Sequence, residues 1–175
     1  KDFRATQRKL LEENMAWAVS DVLVKQLTEW DPFSYDSSKW FDPGWMFGIE
    51  GGFDIVIANP PYIGEKGHKE IFHEIKQSTL KEYYSGKMDL FYFFFHLALN
   101  LGKEKAQIAF ITTNYYLTAF GALKLRLDFK ERTIIRQLVN YNELKIFESA
   151  LGQHNMVTIL SKGHDENFSS RTCIT

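Results

Sequence analysis

The stretch "GGFDIVIANPPYIG", residues 51–64, decides how the rest of the chain is read. Phe53, Ile55, Val56, Ile57 and Ala58 form a short apolar run, preceded by Gly51-Gly52 and followed by Pro60-Pro61. A run of this length between such breakers predicts a strand buried on both faces. Strands of that kind belong to parallel sheets covered by helices. Pro60 and Pro61 have no backbone donor and cannot continue a central strand. Pro60 also pushes Asn59 towards an extended conformation. Pairing therefore stops at the carboxyl end of the strand, where a carboxamide, two stiff carbonyls and an aromatic ring follow in fixed order. In open α/β sheets that end is where ligands bind. Taken alone, the four residues are equally well explained as a rigid strand exit with Tyr62 packed inside.

Working outward, residues 3–28 place Leu11, Met15, Val19, Val22 and Val24 near helical spacing between charged residues, which predicts an amphipathic helix. Residues 30–52 hold Asp31-Pro32, Asp42-Pro43-Gly44, Gly51-Gly52, Trp40 and Trp45, the composition of an aromatic-rich connector. Residues 65–84 are charged and weakly periodic, a loop with one or two short helices. Residues 89–101 form a strongly apolar helix suited to a sheet face. Strands are expected at 107–113, 133–141 and 156–161, with a helix at 117–131. Strands alternating with helices imply an α/β fold with a mainly parallel sheet. The 142–155 connection shows little helical pattern, so the last strand is expected to be antiparallel. Four strands make only half of a doubly wound sheet. The strand ending at Asn59 looks central yet comes first, so its partner on one side is expected to be missing or supplied elsewhere.

The 175 residues suffice for one domain with a sizeable core. Hydrophobic residues at 45% and charged residues at 25% are ordinary for a globular protein. Cys173 is the single cysteine, which excludes a disulfide framework and a cysteine zinc site within this sequence. A reducing, cytoplasmic setting is expected, and no signal peptide or membrane-length apolar run is seen. The net charge of −1 gives no global attraction for nucleic acid, so any such contact needs a local patch or another part of the protein. The five histidines have no metal-ligand spacing and are read as surface or packing residues. The lysines between Lys66 and Lys81 alternate with glutamates, which fits a solvated face better than a phosphate track. The opening Lys1 and the abrupt Cys173-Ile174-Thr175 end suggest a piece of something longer.

The tracts "GGFDIVIANPPY", "MDLFYFFFHLALNL", "AFITTNYYLT" and "NMVTILSK" follow one another in this order. Over residues 51–162 the chain resembles the adenine-specific, amino-group DNA methyltransferases of the gamma type, as in single-chain type II restriction–modification enzymes. Asn-Pro-Pro-Tyr alone is shared with methyltransferases acting on protein glutamine or RNA; the longer tracts favour the DNA enzymes. The resemblance implies half of a doubly wound, Rossmann-like methyltransferase sheet with an antiparallel last strand. It divides the chain into a helical segment and connector (1–52), the C-terminal half of the catalytic domain (53–163), and a tail or the start of a further domain (164–175). It departs from the family in lacking an acidic, glycine-rich S-adenosylmethionine loop, which is expected upstream of Lys1. A target recognition domain is expected after Thr175.

What the resemblance implies for the site is physical as well as formal. An exocyclic amine on an aromatic base is a poor nucleophile, because its lone pair is delocalised into the ring. Two acceptors aimed at its protons localise that pair. The resemblance gives these roles to the Asn59 side-chain oxygen and the Pro60 carbonyl, preorganised so that little rearrangement is needed as charge develops. The methyl group would come from S-adenosylmethionine by direct transfer. The adenine, unreachable inside double-stranded DNA, would be flipped out. Tyr62 would stack on it beside Pro61, and Phe147 would cover the opposite face unless it is simply core. Asp89 is either a helix N-cap or a residue beside the cofactor. A non-catalytic module that pairs with another subunit is the competing reading.

Overall fold

A computed structural model describes residues 6, 9, 10, 13, 43–147, 154–164 and 168–174. The chain divides into two compact units, residues 1–50 and 51–175. Of the predicted 3–28 helix only residues 6, 9, 10 and 13 are described, and they are helical; the rest of it and most of the 30–52 connector lie outside the described residues. In the first unit the connector carries one short helix, α1 (Pro43–Phe47). The Gly48 amide donates to Gly44 O at 2.9 Å.

The second unit is built on one sheet. Its strands are β1 (Phe53–Ala58), β2 (Gly102–Thr113), β3 (Thr133–Asn140), β4 (Asn155–Lys162) and β5 (Arg171–Ile174). Its helices are α2 (Lys69–Gln77), α3 (Leu90–Leu101) and α4 (Leu123–Arg132), with single 3₁₀ turns at Thr79–Tyr83, Asn114–Leu117 and Phe120–Ala122. The spatial order is β1-β2-β4-β3-β5. β1 pairs parallel with β2, and β3 parallel with β5. β4 lies antiparallel between β2 and β3. The architecture is therefore mixed α/β, with four strands running one way and one against them. The expected antiparallel strand is β4. It follows β3 in sequence and inserts between β2 and β3. β5 carries no sequence signal, being only four residues long, and all four are exposed.

Alternation explains which face is covered. Ala106, Ile108, Phe110 and Thr112 of β2 are buried, as are Met156, Thr158 and Leu160 of β4. They face α3 and α4, since side chains two residues apart share one side of a strand. α3 buries Phe91, Tyr92, Phe93, Phe95, His96, Ala98 and Leu99, because it is wedged among β2, α4 and the 79–83 turn. Phe95 stacks at a tilt on Phe110 at 4.6 Å and meets Phe129 edge-on at 5.0 Å. Burying each such ring stabilises the unit by about 1.5–3 kcal/mol.

One expectation is corrected. β1 is not buried on both faces. Val56 and Ala58 pack on the core, while Ile55 is 61% and Ile57 75% exposed. The physical reason is position. The described helices of residues 51–175 pack on the Val56 and Ala58 side, and none of them lies over Ile55 and Ile57; β1 is also the outer strand of the order, so its far edge has no strand beside it among the described residues.

Candidate functional site

The β1–β2 register runs Ile57 to Ala109 and Ala58 to Phe110. The next carbonyl of β2, that of Ile111, meets a chain that has turned to proline and has no N–H to offer. The Tyr62 hydroxyl takes that place, with Oη 3.1 Å from Ile111 O. The same hydroxyl lies 3.0 Å from Asn59 Oδ1. Asn59 itself is exposed, Pro60 is buried, Pro61 is exposed and Tyr62 is half-buried. The strand thus ends in a solvent-facing carboxamide whose neighbours are held rigidly. Burial raises the Tyr62 phenol above its ordinary pKa, so at neutral pH it is a hydrogen-bond donor. Its ring meets Phe91 edge-on at 6.4 Å and packs on the core.

The loop after Tyr62 is tied back. Leu90 N donates to Ile63 O at 2.8 Å, and Glu65 N to Met88 O at 2.8 Å, so residues 63–65 run antiparallel to 88–90. This brings Asp89 to the same end as Asn59. A Cβ at Gly64 would come 3.3 Å from Asp89 Oδ1, so only glycine gives the carboxylate its full room. Asp89 occupies the N-cap position of α3, yet its side chain makes no capping bond. Desolvation raises its pKa, partly offset by a hydrogen bond with Tyr92. Both readings of Asp89 are therefore touched: the position is that of a cap, while the side chain serves its neighbours instead.

Phe147 is half-buried at the end of the described 141–147 stretch. Tyr62's ring neighbour is Phe91 rather than Phe147. Sequence reasoning missed the part played by Ile111, a backbone group with no side-chain signal. It also missed a polar cluster at the carboxyl ends of β2 and β3. There Asn114 Nδ2 donates to Asn140 Oδ1 at 3.1 Å, and Asn114 N to His154 O at 2.8 Å. The Lys66–Lys81 stretch behaves as a solvated face. Lys76 pairs with Glu65 at 3.9 Å and sits 4.2 Å over the Tyr84 ring. No cluster of metal-ligating side chains is found among the described residues. No helix among them is long and apolar enough to cross a membrane. An open cleft of about 570 Å³ lies away from Asn59, lined in part by Arg126, Phe129, Ile134 and Phe168.

Comparison with known proteins decides the family. The sequence model of the Eco57I restriction-modification methylases matches residues 3–147. The chain belongs to that family. It is 20% identical over 119 residues to the type II restriction enzyme and methyltransferase RM.Eco57I of Escherichia coli, covering 67% of this chain and 12% of that protein. It is 28% identical over 97 residues to the type II methyltransferase M.HincII of Haemophilus influenzae, covering 54% of this chain and 19% of that one. The chain therefore spans about one-eighth to one-fifth of the length of these curated relatives. Among solved structures it is similar to the type IIG restriction endonuclease BpuSI, at 24% identity and a TM-score of 0.47, over 63% of this chain and 13% of that one.

Proposed function

We propose that this member of the Eco57I family carries the amine-binding part of an S-adenosylmethionine-dependent DNA methyltransferase that modifies the exocyclic amine of adenine. The observation that carries the reading is the exposed Asn59 carboxamide at the carboxyl end of β1, beside a tyrosine anchored to β2. Asn59 Oδ1 and the Pro60 carbonyl accept the two protons of the amine. As the nitrogen becomes more tetrahedral these contacts strengthen, which is transition-state rather than ground-state binding. The base, flipped from duplex DNA, lies against Tyr62, with Pro61 beside it and Phe147 as the candidate for its second face.

Asp89 fits a place beside the cofactor: its half-buried carboxylate lies at the same end of the unit as Asn59 and spends no hydrogen bond on the cap. When bound, S-adenosylmethionine supplies an electrophilic methyl group. This chain's residues hold the amine and shape its lone pair. In the proposed whole, the glycine-rich cofactor loop and a target recognition domain are provided by other parts of a longer protein, within a restriction–modification system in the cytoplasm. These 175 residues alone would then be inactive.

The test is methyl transfer to duplex DNA by the full-length protein and its Asn59→Ala variant. Loss of a preorganised acceptor should lower kcat on the order of a hundredfold with little change in DNA affinity. Normal methylation by Asn59→Ala would leave Asn-Pro-Pro-Tyr as a strand-exit element only. Methylation of cytosine in place of adenine would refute the base assignment.

A further inference from the structure

The Tyr62 hydroxyl has one proton and two acceptors within reach, Asn59 Oδ1 at 3.0 Å and Ile111 O at 3.1 Å. The family resemblance implies a stacking role for the ring and none for the hydroxyl. Yet Ile111 O has no backbone donor from Pro60 or Pro61, so the hydroxyl is the group placed to satisfy it. Asn59 is exposed and, without this contact, would be free to rotate about its terminal torsion.

We propose that Tyr62 is a positioning residue for Asn59, its hydroxyl exchanging hydrogen bonds between the carboxamide and Ile111 O as the amine arrives. In the empty site the hydroxyl donates to Asn59 Oδ1 and fixes the plane of the carboxamide. In the loaded site its proton turns to Ile111 O. The carboxamide turns over, so that Asn59 Nδ2 donates to Tyr62 Oη and Oδ1 is released to the incoming amine. The donors are then accounted for: one Nδ2 proton to Oη and the other, on the exposed side, to water, Oη to Ile111 O, and the two amine protons to Oδ1 and the Pro60 carbonyl. The only atoms that move are a hydroxyl proton and one terminal amide, so the exchange costs little reorganisation. The chain of bonds is anchored in β2, which the core holds rigid; a carboxamide tied to a loop would be less well placed.

This rests on the reading of Asn59 as an acceptor for the amine, and the experiment separates the two. In the full-length protein, Tyr62→Phe keeps the ring and its edge contact with Phe91. It should lower kcat about tenfold, the loss expected for one neutral hydrogen bond in a preorganised site. KM for DNA and the fluorescence of 2-aminopurine at the target should be unchanged, since stacking is retained. Replacement of Tyr62 by a fluorinated tyrosine, whose phenol ionises more readily, should move the alkaline limb of the kcat profile to lower pH. In an Asn59→Ala background, Tyr62→Phe should cost nothing further, because the group it positions is gone. Wild-type kcat in Tyr62→Phe, or an alkaline limb that stays in place, overturns the proposal while leaving a defective Asn59→Ala to support the acceptor reading. Full activity of Asn59→Ala overturns both.

Discussion

His96 Nδ1 lies 2.5 Å from Asp128 Oδ2, joining α3 to α4 inside the core. The imidazole is fully buried and stacked on Tyr83 at 3.8 Å with an 11° tilt. Asp128 in turn accepts from Arg132 Nε and Nη2 at 2.5 and 2.7 Å, and Arg132 Nη1 reaches Asn100 Oδ1 at 2.9 Å. The sequence treated His96 as one more packing residue. It is that, and it is also the centre of a polar tie between three elements. Its Nε2 has no hydrogen-bond partner, so a second ring proton would be a buried donor with nothing to accept it. The neutral tautomer with the proton on Nδ1 follows.

That tie makes stability depend on pH. Burial lowers the His96 pKa despite the pull of Asp128. Burial opposes the ionised Asp128, but hydrogen bonds from His96 and Arg132 win and its pKa is lowered too. A depressed folded pKa contributes stability above the unfolded value that is lost as pH falls. The His96 contribution should therefore fade below about pH 6.5 and that of Asp128 below about pH 4. Denaturant unfolding at pH 7.5 and 5.5 should show a lower midpoint at the acid value. His96→Phe, which keeps the stack on Tyr83, should remove that difference. An equal difference in the variant would place the titrating group elsewhere.

Tyr62→Ala in the full-length protein removes the stacking surface as well as the hydroxyl. Retention of the flipped base should weaken by about 1–3 kcal/mol, read as reduced 2-aminopurine fluorescence at the target position. Unchanged fluorescence would mean that another ring holds the base.

Gly121 sits where backbone meets backbone. A Cβ there would lie 2.2 Å from Lys87 O, and Ser85 Oγ donates to Gly121 O at 3.0 Å. Backbone cannot yield as a flexible side chain can. Gly121→Ala should destabilise the chain by about 1–3 kcal/mol and loosen residues 85–88, measured by thermal unfolding and amide exchange. A variant of wild-type stability would show that the two segments separate at little cost.

The exposed Ile55 and Ile57 form an apolar face beside the outer edge of β1, and the two together invite association. The 175-residue chain should sediment as more than a monomer, and Ile57→Lys should shift it towards monomer. A wild-type chain that stays monomeric at high concentration would show that this edge is covered.

Several features were legible because they are local. Gly51-Gly52 and Pro60-Pro61 bound β1 whatever else the chain does, and the same prolines place Asn59 and Tyr62 at its carboxyl end. The apolar 89–101 run becomes α3 almost residue for residue, since helix period and length are written in consecutive positions. The helix expected over 117–131 forms only over Leu123–Arg132. Residues 114–122 form two tight turns before α4, where Arg126 Nη1 donates at 2.8 Å to both Tyr116 O and Ala119 O. That is a capture of turn carbonyls by a distant side chain, which local propensity does not report.

Sequence alone determined where pairing must stop and which residue types stand there, because a missing amide hydrogen and a fixed φ belong to proline in any context. Only the tertiary structure decided that β4 enters between β2 and β3, that β1 bares one face, that His96 meets Asp128, and that Tyr62 binds Ile111 O. Each of these joins residues 32 or more positions apart or depends on which strand lies beside which. Their energies come from burial and hydrogen bonds that exist only once the sheet is assembled, so no short window of sequence contains them.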